Sequence, residues 1–397
     1  MGEGLSKTRL ARMHDVMAGH VAGGRMPGLV ALVSRHGDTQ VDAIGTQAFE
    51  GTATMRRDSI FRIASMSKPI AAAAAMVLVE ESKLRLDEPV DKWLPELANR
   101  RVLRAIDAAL DDTVPAKRAI TLRDLLTLRP GIGAVMVYPP QYPIQKAMMD
   151  AGVAPSAEFG SLPPDEFMKR IGSLPLVYQP GERFLYHTGL DILGVLVARV
   201  TGTSLGAFLQ ERIFAPLGMK DTAFYVPEAK LDRLVTCYWA DMKTGERTVF
   251  DPPRGRFAKP PAMEAGGAGL VSTVDDYLAF GRMLLGRGKH RDVRILSRPS
   301  VELMMTDQLT AEQKVGAELF FGEHRGWGFG GAVYTKRDDL SAVPGRYGWD
   351  GGYGTSAYMD PKEDLVGVLL TQRLMDSPEP PQVFVDFWTQ AYAAIDD

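Results

Sequence analysis

The sequence predicts an α+β fold: an antiparallel sheet built from both chain ends and flanked by helices, with a mainly helical domain inserted between the ends. Three observations predict it. Strand patterns cluster near the two termini. The middle of the chain alternates helical periodicity with proline and glycine breaks. Residues 71–75 are five alanines, apolar on every face, as expected of a central buried helix. A prior of ~150 residues per domain gives two or three units for this length. The expected division is residues 1–70 with 230–397 as the sheet domain and 71–229 as the helical one.

Taken in order, residues 6–22 carry Leu10, Met13, Met17 and Val21, a spacing of three to four that predicts an amphipathic helix. Pro27-Gly28 ends it. Residues 29–34 and 39–44 flank His36-Gly37-Asp38 and predict a hairpin. A long helix is expected over 65–86. Pro69 is tolerated only in the first turn, so it puts Ser65 and Lys68 at the helix start. Further helices are expected at 121–128, 164–172, 189–200 and 204–214, with no strand pair among them. Residues 226–262, broken by Asp251-Pro252-Pro253 and Lys259-Pro260-Pro261, are expected to be an irregular return connection. A helix over 276–285 takes Thr273 as its N-cap. Strands are expected at 327–334, 346–350, 354–359 and 365–371, with a turn at Asp360-Pro361. An apolar helix over 382–394 closes the chain.

Composition narrows the function. Apolar residues are 45% and charged ones 24%, ordinary globular values. Forty-nine acidic residues against 46 basic ones leave a net charge of −3, which speaks against nucleic-acid binding. Cys237 stands alone, so no intrachain disulfide forms, and a buried thiol is expected. The six histidines form no HExxH, and a His/Cys zinc site has no support. The N-terminus lacks an apolar h-region and reads as a mature start. No apolar run reaches the ~18–20 residues that span a bilayer. A soluble, cytoplasmic protein without membrane contact is expected.

Three segments carry chemistry. Ser65-Met66-Ser67-Lys68 is an S-x-x-K, whose serine and lysine share one helix face. A serine hydroxyl becomes a nucleophile when a neighbouring base takes its proton, and a lysine shielded from water can be that base. Tyr186 stands between the Pro180-Gly181 turn and a helix, placed to project from a loop. Trp349-Asp350-Gly351-Gly352 ends a strand, where glycines admit a substrate close to the backbone. Gly202-Thr203-Ser204-Leu205-Gly206 fits the G-x-S-x-G elbow, but a helix rather than a strand precedes it, so Ser204 reads as a helix N-terminus. His187 reads as structural or pocket-lining.

Beyond these, residues 61–69, 84–95, 120–127, 180–194 and 215–219 follow one another in an order that resembles the serine β-lactamase/penicillin-binding-protein superfamily. The chain is most similar there to the family VIII carboxylesterases, which look like class C β-lactamases. The resemblance implies a β-lactamase/transpeptidase-like fold, with Ser65 as acylated nucleophile, Lys68 as its partner and Tyr186 as general base and proton shuttle. It implies backbone amides of Ser65 and Gly352 as the oxyanion hole. Lys68 is expected to hold the Tyr186 phenol down by its charge. Three departures stand out. Thr188 replaces the asparagine of Y-x-N, residues 128–131 replace H-T-S-G, and Trp349 replaces the lysine of K-T-G.

The resulting expectation is a serine carboxylesterase for short- to medium-chain esters, needing no cofactor or metal. Its partner is a small-molecule ester. Alternatives are a β-lactamase, a D-amino-acid peptidase or amidase, an acyltransferase on the same acyl-enzyme, and a ligand-binding relative without turnover. Trp349, Asp350, Gly351, Tyr138 and Tyr353 are the substrate-binding candidates, with Trp239 beside them. Arg346 is the candidate to replace the missing cation.

Overall fold

Residues 28–35 are apolar almost without alternation because they run through the middle of a sheet covered on both faces. The computed structural model describes residues 4–157, 160–241 and 244–397. Its main sheet has, in chain order, β1 (Gly28–Arg35), β2 (Asp38–Gly45), β3 (Arg325–Trp327), β4 (Ala332–Tyr334), β5 (Tyr347–Gly351), β6 (Thr355–Asp360) and β7 (Leu365–Thr371). The spatial order is β3-β4-β5-β6-β7-β1-β2, antiparallel throughout. The first strand therefore pairs with the last, Leu29 opposite Thr371 and Arg35 opposite Leu365.

Five helices frame the sheet and the site: α1 (Lys7–Ala22), α2 (Ser67–Glu80), α3 (Thr188–Thr201), α4 (Val274–Leu285) and α5 (Gln382–Ala393). Successive side chains of a strand point to opposite faces. Leu29, Ala31 and Val33 pack with Met13 and Met17 of α1 and with Phe384, Phe387 and Trp388 of α5. Val30 and Leu32, with Val366, Val368 and Leu370, join the core formed with α2 and α4. Each large apolar side chain so buried contributes roughly 1.5–3 kcal/mol. α2 is buried from Ser67 through Leu78, which is why its sequence shows no polar stripe. Thr273 caps α4 by accepting from the Asp276 amide.

Several expectations are corrected. The helix begun near Ser65 ends at Glu80 rather than 86, and Ser82 takes a left-handed φ of +58°. The single strand expected over 327–334 is two, β3 and β4, with a turn between them. Gly330 in that turn has φ +77°, and a Cβ there would stand 2.5 Å from the Lys68 carbonyl oxygen. The turn thus abuts the start of α2, and only glycine allows the approach. Strand pairs exist where none was expected: Arg101–Leu103 with Thr113–Pro115, and Cys237–Ala240 with Arg247–Asp251. They are short, and partners separated by loops leave little periodicity to read. Helices Pro143–Asp150 and Arg298–Met304 also escaped the sequence reading. The 204–214 helix is split into Leu205–Leu209 and a π-turn over Gln210–Phe214. Cys237 is buried, which pushes its thiol up to about 12. Among the described residues no single helix is long and apolar enough to cross a membrane.

Candidate active site

Ser65 is held by the segment around it before any substrate arrives. Phe61 and Arg62 pair with Ser272 and Val271. Arg62 forms a buried ion pair with Asp251 at 2.6 Å and donates to the Val235 carbonyl. The Met66 carbonyl accepts from the Tyr277 hydroxyl, and Ser67 Oγ accepts from the Leu270 amide. Ala64, just before the serine, sits at φ +44°, a strained conformation for a residue with a Cβ. The chain enters α2 through a 3₁₀ turn over Ala64–Met66, which leaves Ser65 at the mouth of a helix N-terminus.

Ser65 Oγ lies 2.8 Å from Lys68 Nζ and 2.9 Å from the Tyr186 hydroxyl. The one-turn spacing of S-x-x-K brings the lysine. Tyr186 comes from a distant loop fixed at both ends: Ala134 N donates to the Tyr186 carbonyl, and Leu185 N to the Leu128 carbonyl. The Thr188 amide also reaches the Tyr186 carbonyl at 3.2 Å, closing a tight turn at His187, whose φ and ψ are +81° and −67°. Trp349, midway along β5, donates its indole N–H to the Tyr186 hydroxyl at 2.6 Å.

Lys68 has no exposed surface. Burial lowers its pKa to about 7, and the charge of Asp191 works against that fall. Lys68 Nζ also touches the Gly267 carbonyl at 2.6 Å and His187 Nδ1 at 3.2 Å. His187 Nε2 stands 3.0 Å from Asp191 Oδ2, close but not in line for a full hydrogen bond. The expectation that Lys68 holds the tyrosine phenol down is corrected. Burial among Phe320, Trp327 and Trp349 pushes Tyr186 well above 10, and its hydrogen bonds with Ser65 and Trp349 offset only part of it. At neutral pH the phenol keeps its proton, and the lysine is the group poised to lose one.

A cleft of about 430 Å³ opens over Ser65. Met136, Leu319, Phe320, Leu374 and Met375 make its walls mostly apolar. Trp349, Asp350, Gly352 and Tyr353 line it, as does His187. Asp350 is held by Ser356 Oγ at 2.5 Å and by the Tyr358 hydroxyl at 3.3 Å, and burial raises its pKa. Gly352 has open space where a Cβ would stand.

Other candidates fall elsewhere. Tyr138 is 93% exposed and outside the cleft, and Trp239 is exposed as well. Gly351 faces inward: a Cβ there would lie 2.3 Å from the Ile63 carbonyl oxygen, so this glycine serves close packing rather than substrate. Arg346 does not reach the cleft. It is buried against the rings of Tyr358, Trp388, Tyr334 and Tyr392, 4.0–5.5 Å from their centres. Arg325, for which the sequence analysis gave no role, lines the cleft. Ser204 caps the helix Leu205–Leu209 and lies away from the cleft. Asp191 was missed too, although an acid four residues after His187 on one helix face was a readable signal.

An open sheet that pairs strands from both chain ends, with a serine, a lysine and a tyrosine gathered at the mouth of the central helix, is the architecture of the serine hydrolases built like β-lactamases and penicillin-binding proteins. The chain belongs to the Beta-lactamase family, whose model matches residues 13–383. It is 40% identical over 366 residues to protein Rv1367c of Mycobacterium tuberculosis, spanning 89% of this chain and 87% of that one. It is 31% identical over 368 residues to esterase EstB of Burkholderia gladioli, spanning 87% and 86% of the two chains. The solved structure of EstCE1, described as a hydrolase with promiscuous acyltransferase activity, superposes with a TM-score of 0.78 at 26% identity, covering 97% of this chain and 99% of that one. The protein is thus a serine hydrolase of the β-lactamase-like kind, related to esterases and acyltransferases.

Proposed function

We propose that the protein is a carboxylesterase that cleaves short- to medium-chain, uncharged esters through an acyl-enzyme on Ser65. The observation that carries this reading is the meeting of Lys68 Nζ and the Tyr186 hydroxyl on Ser65 Oγ beneath an apolar cleft. Neutral Lys68 takes the Ser65 proton as Oγ bonds to the ester carbonyl carbon. The Ser65 and Gly352 amides receive the oxyanion. The C–O bond to the alcohol breaks, and Tyr186 passes the proton held by Lys68 to the departing alkoxide. Water then attacks the acyl carbon by the reverse route, regenerating Ser65. Transfer to a second alcohol uses the same intermediate, and the apolar walls that disfavour water favour such an acceptor.

The substrate class follows from the third motif. Trp349 offers an apolar, aromatic surface suited to an acyl chain or an aromatic alcohol. A lysine there would contribute ~1.5–3 kcal/mol toward a substrate carboxylate. Asp350 beside Trp349, when ionised, disfavours an anion and offsets Arg325 on the same cleft wall. The test is kcat/KM for p-nitrophenyl butyrate and for nitrocefin on one preparation, with Ser65→Ala as control. The ester is expected to be the much better substrate, and Ser65→Ala inactive yet folded. A nitrocefin value at or above the ester value would reassign the protein as a β-lactamase.

A further inference from the structure

We infer that His187 and Asp191 act as a positioning pair that aims the Lys68 amine at Ser65 and sets the pH range in which it accepts a proton. The inference rests on Lys68 being the base that activates Ser65.

The hydrogen-bond inventory of Lys68 leads to it. As an ammonium, Lys68 has three donors. Three acceptors surround it: Ser65 Oγ at 2.8 Å, the Gly267 carbonyl at 2.6 Å and His187 Nδ1 at 3.2 Å. As a neutral amine it has two donors and one lone pair. If Gly267 and His187 take the two donors, the lone pair is left facing Ser65 Oγ. That arrangement requires His187 Nδ1 to be bare, so the ring proton must sit on Nε2. Nε2 stands 3.0 Å from Asp191 Oδ2, out of line for a full hydrogen bond, and the carboxylate's charge favours a proton on that nitrogen. With the proton on Nδ1 instead, the lysine lone pair would turn toward the imidazole and away from the serine.

The four groups close on themselves. Asp191 Oδ1 accepts from the Gly267 amide at 2.9 Å, and the Gly267 carbonyl takes the lysine. A Cβ on Gly267 would stand 2.7 Å from Asp191 Oδ1 and 3.2 Å from His187 Nε2, so the ring tolerates no larger residue there. His187 is held at φ +81°, a conformation that persists only when its surroundings over-determine it. Both side chains are nearly buried, and burial lowers the His187 pKa, as does Lys68 when it is charged, against the opposing charge of Asp191. The other titratable groups nearby do not displace this pair. The Tyr186 ring lies 4.6 Å from Lys68 Nζ, Asp350 on β5 sits beyond Tyr186, and Tyr277 on α4 is spent on the Met66 carbonyl.

The sign of the effect is fixed. The Asp191 charge favours the ammonium, against burial, which favours the amine. Removing that charge lowers the lysine further, so the active amine persists to lower pH. The experiment follows the rate of Ser65 labelling by a fluorophosphonate, read by intact mass between pH 5 and 9. Asp191→Asn is expected to move the acidic limb down by about one pH unit or more. His187→Leu, which removes the acceptor, is expected to slow labelling by ~10²-fold or more. His187→Asn restores an acceptor oxygen near the Nδ1 position and tolerates positive φ, and should recover most of that loss. An unmoved limb in Asp191→Asn would overturn the inference. So would His187→Leu labelling at the parent rate, and the His187 variants alone decide the matter if Asp191→Asn does not fold. Lys68→Ala separates the two levels: parent-rate labelling there would sink the proposed mechanism itself, whereas a dead Lys68→Ala with an unmoved limb would sink only the positioning pair.

Discussion

Lys68 is a lysine removed from water, and that decides how the site responds to pH. In the proposed mechanism its amine serves as base only without its proton, so kcat/KM for a neutral ester should rise with pH through an apparent pKa near 7. A profile flat from pH 5 to 9 would contradict that. Stability carries the same signature. The folded pKa of about 7 lies below the 10.5 of an ordinary lysine, so between those values the unfolded chain binds a proton that the folded chain does not. The parent therefore gains stability from this site as pH rises through that window. Lys68→Met removes the titration, and its stability relative to the parent should fall between pH 7 and 10 in thermal melts. The indole of Trp349 bears on the other partner. Trp349→Phe removes the N–H that reaches the Tyr186 hydroxyl, and a bond to a developing phenolate is typically ~1.5–3 kcal/mol. A fall of about tenfold or more in kcat, with the fold intact by circular dichroism, is expected. S-x-x-K could be read from sequence because helix geometry alone joins i and i+3. The link from His187 to Lys68 spans 119 positions, and no local pattern encodes it.

At the scale of elements, the site is a meeting of a helix start, a loop and a strand end. Adjacent glycines at the end of β5 do different work there. Gly351 lets β5 press against the Ile63 carbonyl, while Gly352 opens on the cleft. Gly351→Ala should cost about 1–3 kcal/mol in denaturant unfolding, as overpacking does, and should slow acylation by shifting β5 from the helix start. Gly352→Ala should leave the unfolding midpoint within error of the parent. Equal midpoints for the two variants would mean that the strand end is not packed as described. Elements with local causes were readable: the α4 cap at Thr273, the β1–β2 hairpin, and α2 with its proline in the first turn. The hairpin Cys237–Ala240 with Arg247–Asp251 was not. Arg247, Thr248 and Val249 face outward, so the strand lacks the buried alternation that marks others.

For the whole molecule, the sheet joins strands from opposite ends of the chain, and α1 and α5 cover one face together. Trp388 of α5 is a keystone of that layer. It stacks on Arg346 and donates to Ser356 Oγ, which in turn holds Asp350 at the cleft. Trp388→Ala should cost ~3–5 kcal/mol, read as a lower midpoint of unfolding. A loss near zero would show that α5 is not needed to hold the sheet. The sequence by itself determined the sheet of both ends, the buried central helix and the one-turn spacing that sets Ser65 beside Lys68. Each of these follows from period, composition or spacing within one helical turn. The resemblance tied Tyr186 to Ser65, but only the tertiary structure put the Trp349 indole on the Tyr186 hydroxyl that reaches Ser65. It alone showed that Arg325 rather than Arg346 lines the cleft, and that burial sends the lysine down and the tyrosine up. Those outcomes depend on which distant surfaces exclude water from one another, and desolvation is a property of the packed molecule rather than of any segment.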